Sequence, residues 1–330
     1  MKVVDLFCGV GGMTSGFIQA NYEVVGAFDN WAKALDVHKI NHPNVQTTLQ
    51  DLSKIDESCK LINKVEPQVI VGGPPCQDFS SAGNRSEGQR ADLTSAFAKI
   101  VARVEPKWFV MENVGRTQSS KTFEKAREIF SKKYGFLEVL LTSSRYGVPQ
   151  LRKRFFCIGR RLSSWKDKES AVLELKHWKS HILNSGSDKH LTIRDYVGNE
   201  FGLEYYYRHP RNYSRRAIYS IDEPSPTVRG VNRPVAPGYP GHRADAADFK
   251  KIPNLRPLTT MERARIQTFP KTFKLEGGKT DQEQMIGNAV PVELARRLAE
   301  FISNFDKGLA VDSYKESQAE FLFEQKLIAV

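Results

Sequence analysis

The chain has 330 residues, 40% of them hydrophobic, and carries 49 Lys and Arg against 38 Asp and Glu, a net charge of +11. That is enough apolar content for a sizeable core in one large domain or two ordinary ones, and the basic surplus favours a polyanionic partner, most simply nucleic acid, over a merely basic soluble protein. The totals argue against other classes: the four cysteines have no CxxC spacing for zinc, the chain needs no disulfides and suits a reducing cytoplasm, and no signal peptide or membrane-spanning apolar run is seen.

In chain order, short apolar runs alternate with helical patterns. Strands are expected at 3–7, 23–29, 45–49, 68–72 and 107–111, with helices at 13–20, 32–40, 92–104 and 122–134 between them. This alternation implies an α/β fold with a doubly wound sheet. Two further strands are expected at 137–143 and 154–160. Beyond Arg161 the texture turns irregular, rich in Arg, Lys, Tyr, Pro and Gly, and the stretch from Tyr205 to Arg216 interleaves aromatic rings with guanidinium groups. A smaller, irregular, strand-rich second domain is expected there. Helical pattern returns at 260–268 and 292–305, and the last 25 residues read as a polar linker and a short amphipathic helix.

The first strand ends in Asp5-Leu6-Phe7-Cys8-Gly9-Val10-Gly11-Gly12. Glycines here allow a tight turn and close approach of a ligand at a helix N-terminus. Asp29, about 20 residues on at the next strand end, suits ribose hydroxyls. The pattern is GxGG rather than GxGxxG and has no basic residue for a pyrophosphate, which points away from NAD toward S-adenosylmethionine; an empty glycine turn is the plain alternative. After the third strand, Asp51 suits an adenine amino group, with Leu52 covering the ring, or simply caps a helix.

Cys76 sits in Gly72-Gly73-Pro74-Pro75-Cys76-Gln77, a rigid turn suited to holding a nucleophile still. Most free cysteines are buried small hydrophobes, but a core cysteine needs no Pro-Pro. The small, polar run from Ser80 to Arg90 reads as a loop able to close over a substrate. Glu112-Asn113-Val114 puts a lone carboxylate at the end of another strand. A thiolate adds to an electron-poor ring, and a carboxyl stabilises the ring nitrogen that takes up charge. Arg152 and Arg154 alternate and on a strand share one face; they suit a pyrimidine O2 and a phosphate, or form a solvated charge run.

Together these segments resemble the DNA (cytosine-5)-methyltransferase family. Asp5–Gly12, Pro74-Pro75-Cys76-Gln77, Glu112-Asn113-Val114, Gln150–Arg154, Arg256–Pro270 and Gln284–Pro291 match six family motifs in order over nearly the whole chain. Met261 stands where the family usually has Arg, and Asn30 where some members have an aromatic residue. The resemblance implies a Rossmann-like methyltransferase domain over 1–160 plus 275–305, a target-recognition domain over 161–274, and a tail over 306–330. It implies a catalytic set of Cys76, Glu112, Arg152 and Arg154. It implies that Phe7, Gly9, Gly11, Asp29, Asp51, Leu52, Pro75, Leu93, Asn288 and Val290 line S-adenosylmethionine, released as S-adenosylhomocysteine. DNA contacts are expected from Ser80, Ser81, Thr227, Arg229 and Arg233, with Thr227-Val228-Arg229-Gly230 as the recognition motif.

The expected enzyme is a cytoplasmic, metal-free monomer that acts on cytosine in double-stranded DNA, has no membrane partner and guards host DNA from a partner restriction endonuclease. Transfer RNA as substrate and a DNA-binding protein without catalysis are the rival readings.

Overall fold

The computed structural model describes residues 1–75, 92–165, 168–210 and 212–309. Cys76, Ser80, Ser81, the rest of the 80–90 loop and the tail from 310 lie outside the described residues. In chain order, the strands and helices up to the sixth strand are β1 (Lys2–Leu6), α1 (Gly12–Gln19), β2 (Glu23–Asp29), α2 (Ala32–Asn41), β3 (Gln46–Leu49), α3 (Ile55–Asn63), β4 (Val69–Gly72), α4 (Leu93–Val104), β5 (Trp108–Val114), α5 (Lys121–Ser131) and β6 (Tyr134–Thr142). They continue as β7 (Gln150–Leu151), β8 (Lys153–Arg161), α6 (Lys168–Asn184), α7 (Ile193–Val197), β9 (Tyr205–Tyr207), β10 (Ile218–Ser220), β11 (Ser225–Pro226), α8 (Thr260–Ile266), α9 (Lys279–Asn288) and α10 (Val292–Lys307).

The chain divides into two compact units. The first contains Met1–Leu141, Lys153–Gly186 and Ala295–Leu309. It is built on a seven-stranded sheet in the order β3-β2-β1-β4-β5-β8-β6. The pairs β1–β2, β2–β3, β1–β4 and β4–β5 are parallel, and β8 runs antiparallel to β5. The central strands explain their own position: all four residues of β4 and six of the seven in β5 are buried, as a parallel strand covered on both faces requires. Phe109 of β5 stacks on Phe130 of α5 with ring centroids 4.2 Å apart, in a core shared with Val4, Ile70, Phe97 and Ile100. β2 and β3 lie on one side of β1, and β4 and β5 on the other. The strand order therefore reverses at β1/β4, where open α/β sheets build their sites.

α6 is a 17-residue helix in a stretch expected to be irregular. It belongs to the first unit because Trp178 is buried there, stacked on Phe305 of α10 at 4.6 Å and against Trp108 at 5.3 Å. The compact unit therefore runs on past residue 160, and residues 275–294 fall in the other unit rather than with the sheet.

The second unit contains Thr142–Arg152 and Ser187–Leu294. It holds two small sheets, an antiparallel β9–β10 pair and a parallel β7–β11 pair. Tyr206 and Tyr207, from the aromatic-basic stretch, are each 1% exposed and belong to the core, while Tyr213 of the same stretch is 45% exposed. Tyr207 packs with Ala217, Ile218 and Tyr239. The Asp245 carboxylate accepts from the Tyr239 hydroxyl and from the backbone N–H of Ala217, Ile218 and His242, which ties this irregular segment together. Among the described residues, no helix is long and apolar enough to cross a membrane.

Candidate active site

At the carboxyl end of β1 the backbone turns through Phe7 (φ 57°), Gly9 (φ 52°) and Gly11 (φ 90°), left-handed values that glycine adopts without strain. A Cβ on Gly9 would meet nothing within 4 Å, so one side of the turn is open. Asp29, at the end of β2, accepts from Gly9 N–H at 2.8 Å and Trp31 N–H at 2.9 Å. Burial pushes the Asp29 carboxyl up, and these backbone donors pull it back. Asn30 N–H is a third backbone donor, so the carboxylate keeps acceptor capacity for a ligand hydroxyl on one oxygen. The turn from Phe7 to Met13 carries no Lys or Arg, so its donor set fits an uncharged nucleoside better than a pyrophosphate.

The end of β3 is tied to that of β2 by Gln50 N–H, which donates to the Asp29 carbonyl at 2.9 Å. Asp51 is exposed and accepts from Ser53 N–H and Oγ at 3.0 and 2.7 Å, which holds its pKa down. Leu52 is 3% exposed, inside the core with Phe28 and Cys59, so it offers little surface to a ring. Pro75 is exposed, and Leu93 is half-buried at the first turn of α4. Trp31, partly exposed beside Asp29, is an aromatic that the sequence reading passed over. Its signal was proximity: an aromatic two residues after the carboxylate.

β4 leads into the Gly-Gly-Pro-Pro turn. Asn113 Nδ2 donates to the Pro74 carbonyl at 2.8 Å, anchoring that turn to the end of β5 two residues before Cys76. Glu112 stands beside it: a Cβ on Gly73 would lie 3.1 Å from Glu112 Oε2. Arg154 of β8 is paired in register with Val114, and its Nε lies 2.8 Å from Glu112 Oε1, with both side chains at least 86% buried. Burial pulls the Arg154 pKa down while Glu112 raises it, and the guanidinium stays charged. The remaining cysteines, Cys8, Cys59 and Cys157, are buried and their thiols are pushed up by that burial, which makes each a poor nucleophile.

Arg152 is placed differently from the expected shared strand face. It falls between β7 and β8, outside any strand, because the chain passes there from one small sheet to the large one. Its side chain is 2% exposed and donates to the carbonyls of Val228 and Gly287 at 3.2 and 3.1 Å. Four motifs of the second unit meet in this network. Gln150 Oε1 accepts from Val228 N–H at 2.8 Å, its Nε2 donates to Gln267 Oε1 at 2.7 Å, and Gln267 Nε2 donates to the Ile286 and Ala289 carbonyls at 2.7 and 3.0 Å. Asn288 is exposed and Val290 buried within this same unit. Thr227 Oγ1 donates to the Leu151 carbonyl at 3.0 Å, which spends the hydroxyl inside the network.

Gly287 shows how tight that packing is. A Cβ there would sit 2.2 Å from Gly230 N and 2.3 Å from the Arg229 carbonyl carbon, both backbone atoms. Gly287→Ala is expected to destabilise the protein by about 1–3 kcal/mol, the cost of overpacking a rigid core. A denaturant titration showing an unchanged midpoint would contradict this contact.

Arg229 Nη2 donates to the His209 carbonyl at 2.6 Å and Arg208 Nη2 to the Thr227 carbonyl at 2.9 Å, so both are committed to holding the recognition motif. Arg263 pairs with Glu283 in a buried contact beneath them. Arg208, Arg229, Arg263 and Arg233 line one cleft, and the Arg233 side chain is exposed there. Met261 is 39% exposed in α8, at the surface rather than in the core of this unit.

Comparison with known proteins agrees with this geometry. The chain is 49% identical over 311 residues to the type II methyltransferase M.HindV of Haemophilus influenzae, covering 93% of this chain and 98% of that protein. It is 50% identical over 301 residues to the type II methyltransferase M.HgiDI of Herpetosiphon aurantiacus, covering 91% and 93%. The solved S. pombe Dnmt2 methyltransferase superposes with a TM-score of 0.68 at 19% identity, covering 92% of this chain and 99% of that one, a likeness of fold. The family model for C-5 cytosine-specific DNA methylases matches residues 1–304. The chain thus belongs to the C-5 cytosine-specific DNA methylase family and is a DNA (cytosine-5) methyltransferase.

Proposed function

We propose that the enzyme takes a cytosine out of duplex DNA and methylates it at carbon 5, with Cys76 as nucleophile and S-adenosylmethionine as methyl donor. The observation that carries this reading is the Glu112–Arg154 pair at the end of β5, beside the glycine-proline turn that leads into Cys76. A cytosine stacked in a duplex hides both faces of its ring, so it must leave the helix to react. The Cys76 thiolate adds to carbon 6. Glu112 hydrogen-bonds N3 and the exocyclic amine and stabilises the charge that develops there. Arg154 holds Glu112 in place and reaches the pyrimidine O2. Carbon 5 becomes enamine-like and accepts the methyl group as its bond to sulfur breaks and S-adenosylhomocysteine departs; a base then takes the carbon-5 proton, and Cys76 leaves.

The donor supplies a methyl on a sulfonium. The Gly9–Gly11 turn, Asp29, Trp31 and the end of β3 would hold its adenosine part. Arg152 acts by fixing the recognition motif against the last motif. Of the two arginines proposed for base readout, Arg233 is the better placed, because Arg229 already serves the His209 carbonyl.

Asp29→Ala is expected to weaken S-adenosylmethionine binding about 10- to 100-fold, the scale of a charged hydrogen-bond acceptor lost from a partly buried site. Calorimetry giving an unchanged Kd would remove Asp29 from the site.

The DNA substrate rests on the basic balance of the chain and on relatives named type II methyltransferases. With such relatives, the role proposed is protection of host DNA from a cognate endonuclease. The test is transfer of labelled methyl groups to unmethylated duplex DNA and, in parallel, to transfer RNA, with bisulfite sequencing of the DNA product. Methylation of cytosines within one short duplex motif supports the reading. Transfer to RNA alone would replace it.

A further inference from the structure

Behind the glycine turn lies a buried polar chain that the methyl-transfer chemistry does not use. Asp5 of β1 is 1% exposed, and its Oδ2 accepts from Thr14 N–H at 3.1 Å and Thr14 Oγ1 at 2.7 Å. Thr14 is on the first turn of α1, so these two bonds clamp the ends of the turn together. The Thr14 hydroxyl gives its proton to Asp5 and lies 3.0 Å from Nε2 of His38, a fully buried residue of α2. With its own proton committed, Thr14 Oγ1 accepts from His38, which fixes the Nε2–H tautomer. Next to it, His42 Nε2 lies 3.1 Å from Ser15 Oγ, and the two imidazoles meet edge to face at 4.8 Å.

The rings also shape the turn directly. A Cβ on Gly11 would lie 2.8 Å from both His38 Cδ2 and His42 Nε2, so the imidazoles are the rear wall of the turn at its φ 90° residue. Burial pushes His38 down to about 3 and His42 to about 4, and both are neutral at physiological pH. Two buried histidines at helical spacing are costlier than aliphatic packing unless their polar atoms are used. Here Nε2 of each reaches a hydroxyl on α1, while His38 Nδ1 is buried without a partner among the described residues.

We propose that His38 is a positioning residue for cofactor binding: acting through Thr14 and Asp5, it sets the conformation of the Gly9–Gly11 turn that receives the methyl donor. This rests on the reading that the turn holds S-adenosylmethionine. His38 itself touches no substrate. Its donor completes a three-residue chain, and its ring closes the space behind Gly11.

The test measures S-adenosylmethionine binding by calorimetry on the intact protein, together with KM and kcat for methyl transfer and thermal midpoints. His38→Leu removes the donor, His38→Gln keeps a donor near the Nε2 position, and Thr14→Val removes the hydroxyl that links it to Asp5. His38→Leu and Thr14→Val are each expected to raise Kd and the cofactor KM about tenfold, the size of one buried hydrogen-bonding group left unpaired. In both, kcat at saturating cofactor should hold. His38→Gln is expected to recover most of the affinity. The double variant should be no weaker than the poorer single one, since both cut the same chain.

A folded His38→Leu protein with wild-type Kd would overturn the proposal. So would equal losses in His38→Leu and His38→Gln, which would mean that ring volume alone matters. If His38→Leu fails to fold, Thr14→Val decides by the same readout. Asp29→Ala separates the two levels: a weakened Asp29→Ala beside an unaffected Thr14→Val sinks the His38 role alone. An unaffected Asp29→Ala would sink the placement of the cofactor at the turn.

Discussion

Cys76→Ser is expected to lower methyl transfer to duplex DNA by ~10^4-fold or more, the scale seen when a covalent nucleophile is removed. A serine hydroxyl stays protonated at neutral pH and is a far weaker nucleophile than a thiolate. Carbon 6 then receives no electron pair, and carbon 5 never becomes enamine-like. No other described cysteine can substitute, because Cys8, Cys59 and Cys157 are buried with their thiols pushed up. DNA affinity should survive, since the change is one atom, two residues after the Pro74 carbonyl that Asn113 holds. Single-turnover methylation and a DNA-binding titration on the same preparation check both halves. Near-normal transfer by the serine variant would remove Cys76 from the mechanism.

Glu112→Gln is expected to cost about 10²- to 10³-fold in kcat, the range for deleting one preorganised group that stabilises developing charge. The amide keeps the shape and leaves an oxygen for Arg154 to bind, so the fold should be retained. It cannot present a carboxyl to N3 while that nitrogen gains charge. The cofactor Kd should not change, because Glu112 stands at the end of β5 while the glycine turn follows β1. A large loss of cofactor affinity in this variant, with kcat preserved, would reverse the assignment.

The sheet was legible in the sequence because its central strands are nearly continuous apolar runs. Val69-Ile70-Val71 and Trp108-Phe109-Val110-Met111 admit few other readings once bounded by turn residues. Glu112 and the glycine turn were legible because each marks a strand end. α6 was not. Its buried positions Ala171, Trp178 and Ile182 keep a helical spacing, but Val172, Leu173 and Leu183 are exposed and blur it. The separate partners of Arg152 and Arg154 were hidden as well, since alternation on a strand presumes that the strand is unbroken. The Asp5–Thr14–His38 chain draws one residue from each of three elements. No local pattern announces such a cluster; only the fold, which sets Thr14 of α1 between Asp5 of β1 and His38 of α2, assembles it.

The central claim is that Cys76 bonds to carbon 6 of a cytosine in DNA. The direct measurement uses duplex DNA in which the target cytosine carries fluorine at carbon 5, incubated with enzyme and S-adenosylmethionine. Fluorine cannot leave as a proton does, so the covalent complex should accumulate after methyl transfer. A DNA–protein adduct that survives denaturation, mapped by peptide mass to Cys76 and absent in Cys76→Ser, is the predicted result. An enzyme that methylates ordinary DNA yet forms no adduct, or forms it at another residue, would contradict the account.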